Sequence, residues 1–208
     1  YCVIHHGVHK QFRRVKTDVK SSVSLQPYVL YVSTLDYYKA QIEVVYEWSQ
    51  LRSIRFTMEK LVLIGPTYMP YARQVEKAIK SLGLSKEVLV IGSVDHSKLG
   101  AYYQNAEINL FASSCENCPN ILLEMLAAGR PVLASKYPPM PEFGADLIQY
   151  FDPYHKGDLS SNLSRLLDNE DERIVWANKA SARAEKYSWN DCTEKTWSLL
   201  RHAAEHTS

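Results

Sequence analysis

Apolar, β-branched runs alternate with stretches of helical periodicity along most of this chain. The runs are Tyr28–Ser33, Leu61–Gly65, Val88–Gly92, Ile108–Ala112, Val132–Ser135 and Leu147–Phe151. Between them, apolar residues recur at three- and four-residue spacing over Lys39–Arg52, Ala72–Leu82, Ser97–Asn105 and Pro119–Ala128, each long enough for a right-handed crossover. Strand and helix in this rhythm predict a parallel sheet, and so an α/β, Rossmann-like, doubly wound domain. Asp158–Leu167, Asp171–Lys186 and Trp189–Ala204 read as further helices, and Pro138-Pro139-Met140-Pro141 predicts a rigid loop after the fifth strand. With no internal repeat or low-complexity tract, residues 27–208 read as one domain, and residues 1–26 as an N-terminal linker leading into it.

Open α/β sheets bind ligands outside the carboxyl ends of their strands, where Thr34, Gly65, Gly92 and Ser113 each follow a predicted strand. Gly65 and Gly92 read either as turns or as places where backbone approaches a ligand. The richest stretch is Ser113–Ser135, SSCENCPNILLEMLAAGRPVLAS. Pro119 suits the first position of a helix, with Cys118 or Asn117 as its cap. Ile121, Leu122, Met125 and Ala128 form one apolar face, and Gly129 followed by Pro131 is a stop signal, giving about three turns. Backbone N–H groups of Asn120 and Ile121 in the first turn favour an anion, and a diphosphate is the obvious candidate. Glu116 lies in the loop before the helix and Glu124 within it. One carboxylate can face a sugar while the other, Glu124, accepts both hydroxyl protons of a ribose diol.

This pair of glutamates eight positions apart resembles the signature of retaining glycosyltransferases of family 4, which have the two-domain GT-B architecture. The turn Glu116-Asn117-Cys118-Pro119-Asn120 resembles the variant in bacterial enzymes that build O-antigen and capsule polysaccharides. Ser33-Thr34-Leu35-Asp36-Tyr37-Tyr38-Lys39 resembles the family's phosphate-binding loop; Lys39 matches its lysine, and Thr34 stands where an arginine is usual. Val88–Leu99 is similar to the stretch whose backbone holds the nucleobase, with Val94 against the ring. The resemblance implies a UDP- or GDP-linked sugar as substrate and transfer with retention. Lys39 and the helix start would stabilise the leaving diphosphate, Glu116 the sugar hydroxyls or the charge developing at the anomeric carbon, and Glu124 the ribose. Glu116 and Lys39 are then the catalytic residues. Thr34, Lys39, Gly65, Val94, Asn117, Cys118, Pro119, Asn120, Ile121 and Glu124 bind the nucleotide-sugar. No metal or other cofactor is implied, in keeping with the lack of an Asp-x-Asp pair.

Cys2–Val8 resembles the segment where the family's first domain ends, Tyr187-Ser188-Trp189 resembles the step into its final helix, and 208 residues are short for two domains. These features predict the C-terminal, nucleotide-sugar-binding half, with a glycan or lipid-linked acceptor held by an N-terminal half. Two other readings stay open: a non-catalytic nucleotide-sugar-binding or regulatory module, favoured by Thr34, and a nucleotide-sugar 2-epimerase, which shares the architecture and the ribose-binding glutamate.

Composition adds exclusions. A net charge of +1 with interspersed signs argues against a nucleic-acid partner, and the basic residues of Lys10–Lys20 read as solvated. No apolar run approaches the roughly 20 residues of a membrane span, and no signal-peptide pattern is visible. A cytoplasmic protein is expected, with room for peripheral association of the full-length enzyme at the inner face of the membrane. Four cysteines, including one Cys115-x-x-Cys118 pair, read as reduced thiols rather than disulfides or zinc ligands. At a helix start, Cys118 is expected to have a lowered pKa. His96, after a strand, reads as a cap or surface residue.

Overall fold

In a computed structural model, residues 2–14 and 27–206 are described. Six parallel strands form one sheet: β1 (Tyr28–Val32), β2 (Lys60–Ile64), β3 (Val88–Gly92), β4 (Ile108–Phe111), β5 (Val132–Ser135) and β6 (Gln149–Phe151). Their order is β3-β2-β1-β4-β5-β6, the doubly wound arrangement the alternation predicts. All five residues of β1 and all four of β4 and β5 are buried, as strands covered by helices on both faces must be.

The helices are α1 (Gln41–Ile54), α2 (Met69–Ser81), α3 (His96–Asn105), α4 (Asn120–Ala127), α5 (Met140–Gly144), α6 (Asp158–Asp168), α7 (Glu170–Ala184) and α8 (Trp189–Glu205). Helix α1 packs on α2 and α6, whereas α4 packs on α3, α5 and α7. A buried polar joint between helices is Glu47 on α1. It is 6% exposed and accepts from the backbone N–H groups of Gly157 and Ser160 at 2.8 and 2.9 Å, so that its carboxylate closes the start of α6.

Three local expectations change. The proline-rich stretch expected as a loop begins α5 at Met140, because Pro141 occupies a first-turn position where its missing N–H is harmless. Lys39 does not open α1. It closes a short 3₁₀ turn, Tyr37–Lys39, separated from α1 by Ala40 in the left-handed region (φ 54°, ψ 32°). Helix α4 is eight residues rather than about three turns, and Pro119 precedes it. Its stop signal holds: Gly129 has φ 68°, and a Cβ there would lie 2.5 Å from Arg14 Cδ.

Of the expected linker, residues 1 and 15–26 lie outside the described residues. The rest folds against the domain. The Val8 N–H bonds the Tyr187 carbonyl at 3.2 Å, Arg14 N–H bonds Ala127 at 3.0 Å, and Phe12 is buried in the core. Helix α8 has no buried residue and exposes Trp197, Leu199 and Leu200. Among the described residues no helix is long and apolar enough to cross a membrane.

Candidate nucleotide-sugar site

The sheet's strand order reverses direction between β1 and β4, and the crevice beyond the ends of these strands is where doubly wound sheets bind ligands. Two loops meet there. After β1, Asp36 accepts from Tyr37 N–H at 2.7 Å and caps the 3₁₀ turn. Left-handed Ala40 then redirects the chain into α1, and Tyr31 hydroxyl donates to the Lys39 carbonyl. This geometry folds the Lys39 side chain inward, leaving the residue 5% exposed. After β4, Ser114 donates its N–H to the Tyr38 carbonyl at 2.8 Å and its hydroxyl to the same oxygen at 3.1 Å, stitching one loop to the other.

The stitched loops bring Lys39 and Glu116, 77 positions apart, into a direct ion pair. Lys39 Nζ also lies 4.6 Å from the centre of the Tyr38 ring and 5.5 Å from that of Phe111. A buried lysine in the loop after β1 is what an anionic ligand in the crevice needs, and Glu116 is its ion-pair partner.

Glu124, on α4, occupies a second cluster. Its Oε2 accepts from the Tyr103 hydroxyl of α3 at 2.9 Å, and its Oε1 lies 3.2 Å from His96 Nε2. Burial raises its carboxyl pKa above the ordinary range, against the opposing effect of these two hydrogen bonds.

The other predicted residues have simpler surroundings. The Thr34 carbonyl accepts from Gln41 Nε2 at 2.8 Å. Gly65, at φ 149°, is required by the sheet itself: a Cβ there would lie 2.1 Å from the Ser33 carbonyl oxygen. Gly92 is the last residue of β3, paired with Ile64 at φ 80°, and a Cβ there would meet open space. Val94 and Ile121 pack partly against the core. Asn117 is exposed and Pro119 buried. Asn120 Oδ1 lies 3.0 Å from His6 Nδ1, while its N–H is taken by the Cys118 carbonyl at 2.9 Å and so is not open to an anion as expected. Of the two expected backbone groups, Ile121 N–H keeps a first-turn position with no acceptor inside its own helix.

Cys118 corrects an expectation. Its thiol pKa is raised, chiefly by burial, where a helix-start position predicted a lowered one. Neither it nor Asn117 caps α4, whose cap position is taken by Pro119 without a side-chain hydrogen bond. His96, expected as a cap or surface residue, is a surface residue: Asp95 takes the cap position, and the exposed His96 side chain also reaches Glu124. Tyr103, Gln11 and Ala40 also shape the site. Nothing local in the sequence marks them: the partners of Tyr103 and Gln11 lie on other elements, and Ala40 takes a left-handed conformation that its residue type disfavours.

Among the described residues no group of three His, Cys, Asp or Glu is gathered as a metal site, and the four cysteines are free. A groove of about 550 Å³ between α1 and the loop after β6, lined by Glu43, Tyr46, Gln50 and Tyr154, contains none of the predicted ligand residues.

Fold and crevice together define a doubly wound α/β domain of the Rossmann-like kind. The chain belongs to the glycosyl transferases group 1 family, whose model matches residues 14–183. It is 24% identical over 178 residues to the lipopolysaccharide 1,2-N-acetylglucosaminetransferase of Salmonella typhimurium, covering 80% of this chain and 46% of that one. Among solved structures, a sucrose-phosphate synthase from Thermosynechococcus elongatus superposes with a TM-score of 0.84 at 21% identity, covering 99% of this chain and 53% of the other. The Anabaena protein HepE, in complex with UDP and glucose, superposes at 0.76 with 17% identity, covering 84% and 48%. The chain spans about half the length of these proteins.

Proposed function

We propose that this chain is the nucleotide-sugar-binding half of a retaining hexosyltransferase, which moves a sugar from a UDP- or GDP-linked substrate to a glycan or lipid-linked acceptor in polysaccharide synthesis. The observation that carries the reading is the buried Lys39 paired to Glu116 at the point where the strand order reverses. In this reading the diphosphate enters between Lys39 and the start of α4, and Lys39 exchanges part of its bond to Glu116 for phosphate oxygen. Glu116, so released, faces the sugar and the positive charge that develops at its anomeric carbon as the diphosphate departs. Charges placed before the reaction then supply most of the stabilisation. Glu124 accepts from the ribose, and Val94 lies along the nucleobase. The UDP in the HepE structure and the polysaccharide chemistry in the name of the Salmonella relative support the substrate class. The exposed apolar residues of α8 support a preceding half that packs there and holds the acceptor.

Calorimetric titration of UDP, GDP and ADP, with EDTA present throughout, tests the proposal on the chain itself and on Lys39→Ala and Glu124→Ala variants. Selective binding of one nucleotide, unaffected by EDTA and weakened in both variants, is the expected result. Binding that survives in both variants, or that requires a divalent ion, would overturn it.

A further inference from the structure

The Glu124 carboxylate is gripped from two sides by groups that lie outside the family signature. Tyr103 is fully buried on α3, and burial beside Glu124 raises its pKa well above the ordinary value, so its hydroxyl stays a donor. It uses one lone pair of Oε2, and His96 Nε2 faces one of Oε1. An ionised carboxylate has about four lone-pair directions, two on each oxygen. One therefore remains on each oxygen, the number that the two neighbouring hydroxyls of a ribose need.

The His96 proton can be placed from its other neighbour. Gln11 Nε2 lies 3.2 Å from His96 Nδ1 and 3.4 Å from the His96 carbonyl oxygen. The carbonyl can only accept, so the amide must turn its NH₂ group towards His96, and Nδ1 is then an acceptor too. In the neutral ring the proton sits on Nε2, pointing at Glu124. Phe12, next to Gln11, packs edge-on against both His96 and Tyr103, at centroid distances of 5.1 and 5.8 Å. The segment Lys10–Phe12 thus backs both groups that hold the carboxylate.

We infer that Tyr103 and His96 are positioning residues for ribose recognition. They hold the plane of the Glu124 carboxylate so that one lone pair on each oxygen meets the ribose diol, and Gln11 sets the His96 tautomer that makes this possible. The inference rests on the reading of Glu124 as the ribose acceptor.

The test compares UDP with 2′-deoxy-UDP, and GDP with 2′-deoxy-GDP, on the chain and on its His96→Ala, His96→Gln, Tyr103→Phe and Glu124→Ala variants. The readout is the ratio of the two dissociation constants, which a general loss of stability leaves unchanged. The chain itself should favour the ribonucleotide, and Glu124→Ala should abolish the preference. His96→Ala and Tyr103→Phe should each cut the ratio by about threefold or more, on the scale of one ordinary net hydrogen bond. His96→Gln, which keeps an N–H donor, should restore most of it. A ratio unchanged in both His96→Ala and Tyr103→Phe, with the preference intact in the chain itself, overturns the positioning role alone. No ribose preference in the chain itself, or one that Glu124→Ala does not touch, overturns the underlying reading. His96 is largely exposed, so its substitution spares the fold. Independently, ¹⁵N imidazole spectra of the neutral ring should show the His96 proton on Nε2; a proton on Nδ1 would overturn the role given to Gln11.

Discussion

Removing one partner of the Lys39–Glu116 pair tests how the crevice is held together before any ligand arrives. Both side chains are largely out of water, at 7% and 15% exposure. Truncating one member of a fully buried pair costs about 3–5 kcal/mol, because the other charge is left without compensation. Glu116 keeps some contact with solvent, so about 2 kcal/mol is expected for Lys39→Ala. At about 2–4 °C per kcal/mol for a chain of this size, the melting temperature should fall by roughly 6 °C. Glu116→Gln should cost less, since its amide oxygen can still accept from Lys39. The double variant Lys39→Ala/Glu116→Gln leaves no buried charge and should recover at least about 1 kcal/mol relative to the sum of the single changes. Calorimetric or circular-dichroism melts of the four proteins close the cycle. Strict additivity, or a Lys39→Ala chain as stable as the parent, would refute the claim that the two charges depend on each other.

Glu47→Gln should lower the melting temperature by several degrees, about 2 kcal/mol, because an NH₂ group then faces one of the two backbone N–H groups at the start of α6; an unchanged melt would contradict that cap. Ala40→Gly should leave stability equal or up to about 1 kcal/mol higher, since relief of the left-handed conformation offsets the lost methyl burial, whereas Ala40→Val should destabilise clearly in the same denaturant titration. Affinity for a nucleotide-sugar should fall on acidification from a pH above the ordinary glutamate range of about 4.3, because burial raises Glu124 and only its ionised form accepts both ribose hydroxyls. The sign for stability is the reverse: a carboxyl raised by burial contributes most at low pH and loses that contribution as pH rises through its folded-state value. Glu124→Gln should flatten the affinity profile. Cys118 should alkylate more slowly than an unhindered thiol, in line with its raised pKa, and a faster rate would restore the helix-start expectation.

The sheet was legible because its strands are nearly continuous apolar runs, and Val88–Gly92 and Val132–Ser135 coincide with their predicted limits. The pattern of Glu116, Glu124 and Lys39 was legible through its spacing and its resemblance to a family signature. What the sequence concealed was tertiary. Ala40 adopts a left-handed conformation that residue type disfavours, because the turn holding Lys39 demands it. The Pro138–Pro141 stretch begins a helix because one proline falls in a first turn. Cys118 is governed by burial, which no local pattern reveals, and His96 and Gln11 meet Glu124 and each other from segments 28 and 85 positions away, respectively. At Thr34, where the family more often has an arginine, the carbonyl accepts from Gln41 Nε2 and Ser33 Oγ, and Lys39 is the cation that loop places at the crevice.

The measurement that bears most directly on the central claim is an amide ¹H–¹⁵N titration of the isotope-labelled chain with UDP and with GDP. The account predicts shifts at Thr34, Lys39, Val94, Glu116, Ile121 and Glu124, around the ends of β1 and β4. Shifts confined to the groove lined by Glu43, Tyr46 and Gln50, with the β1 and β4 loops unmoved, would contradict it.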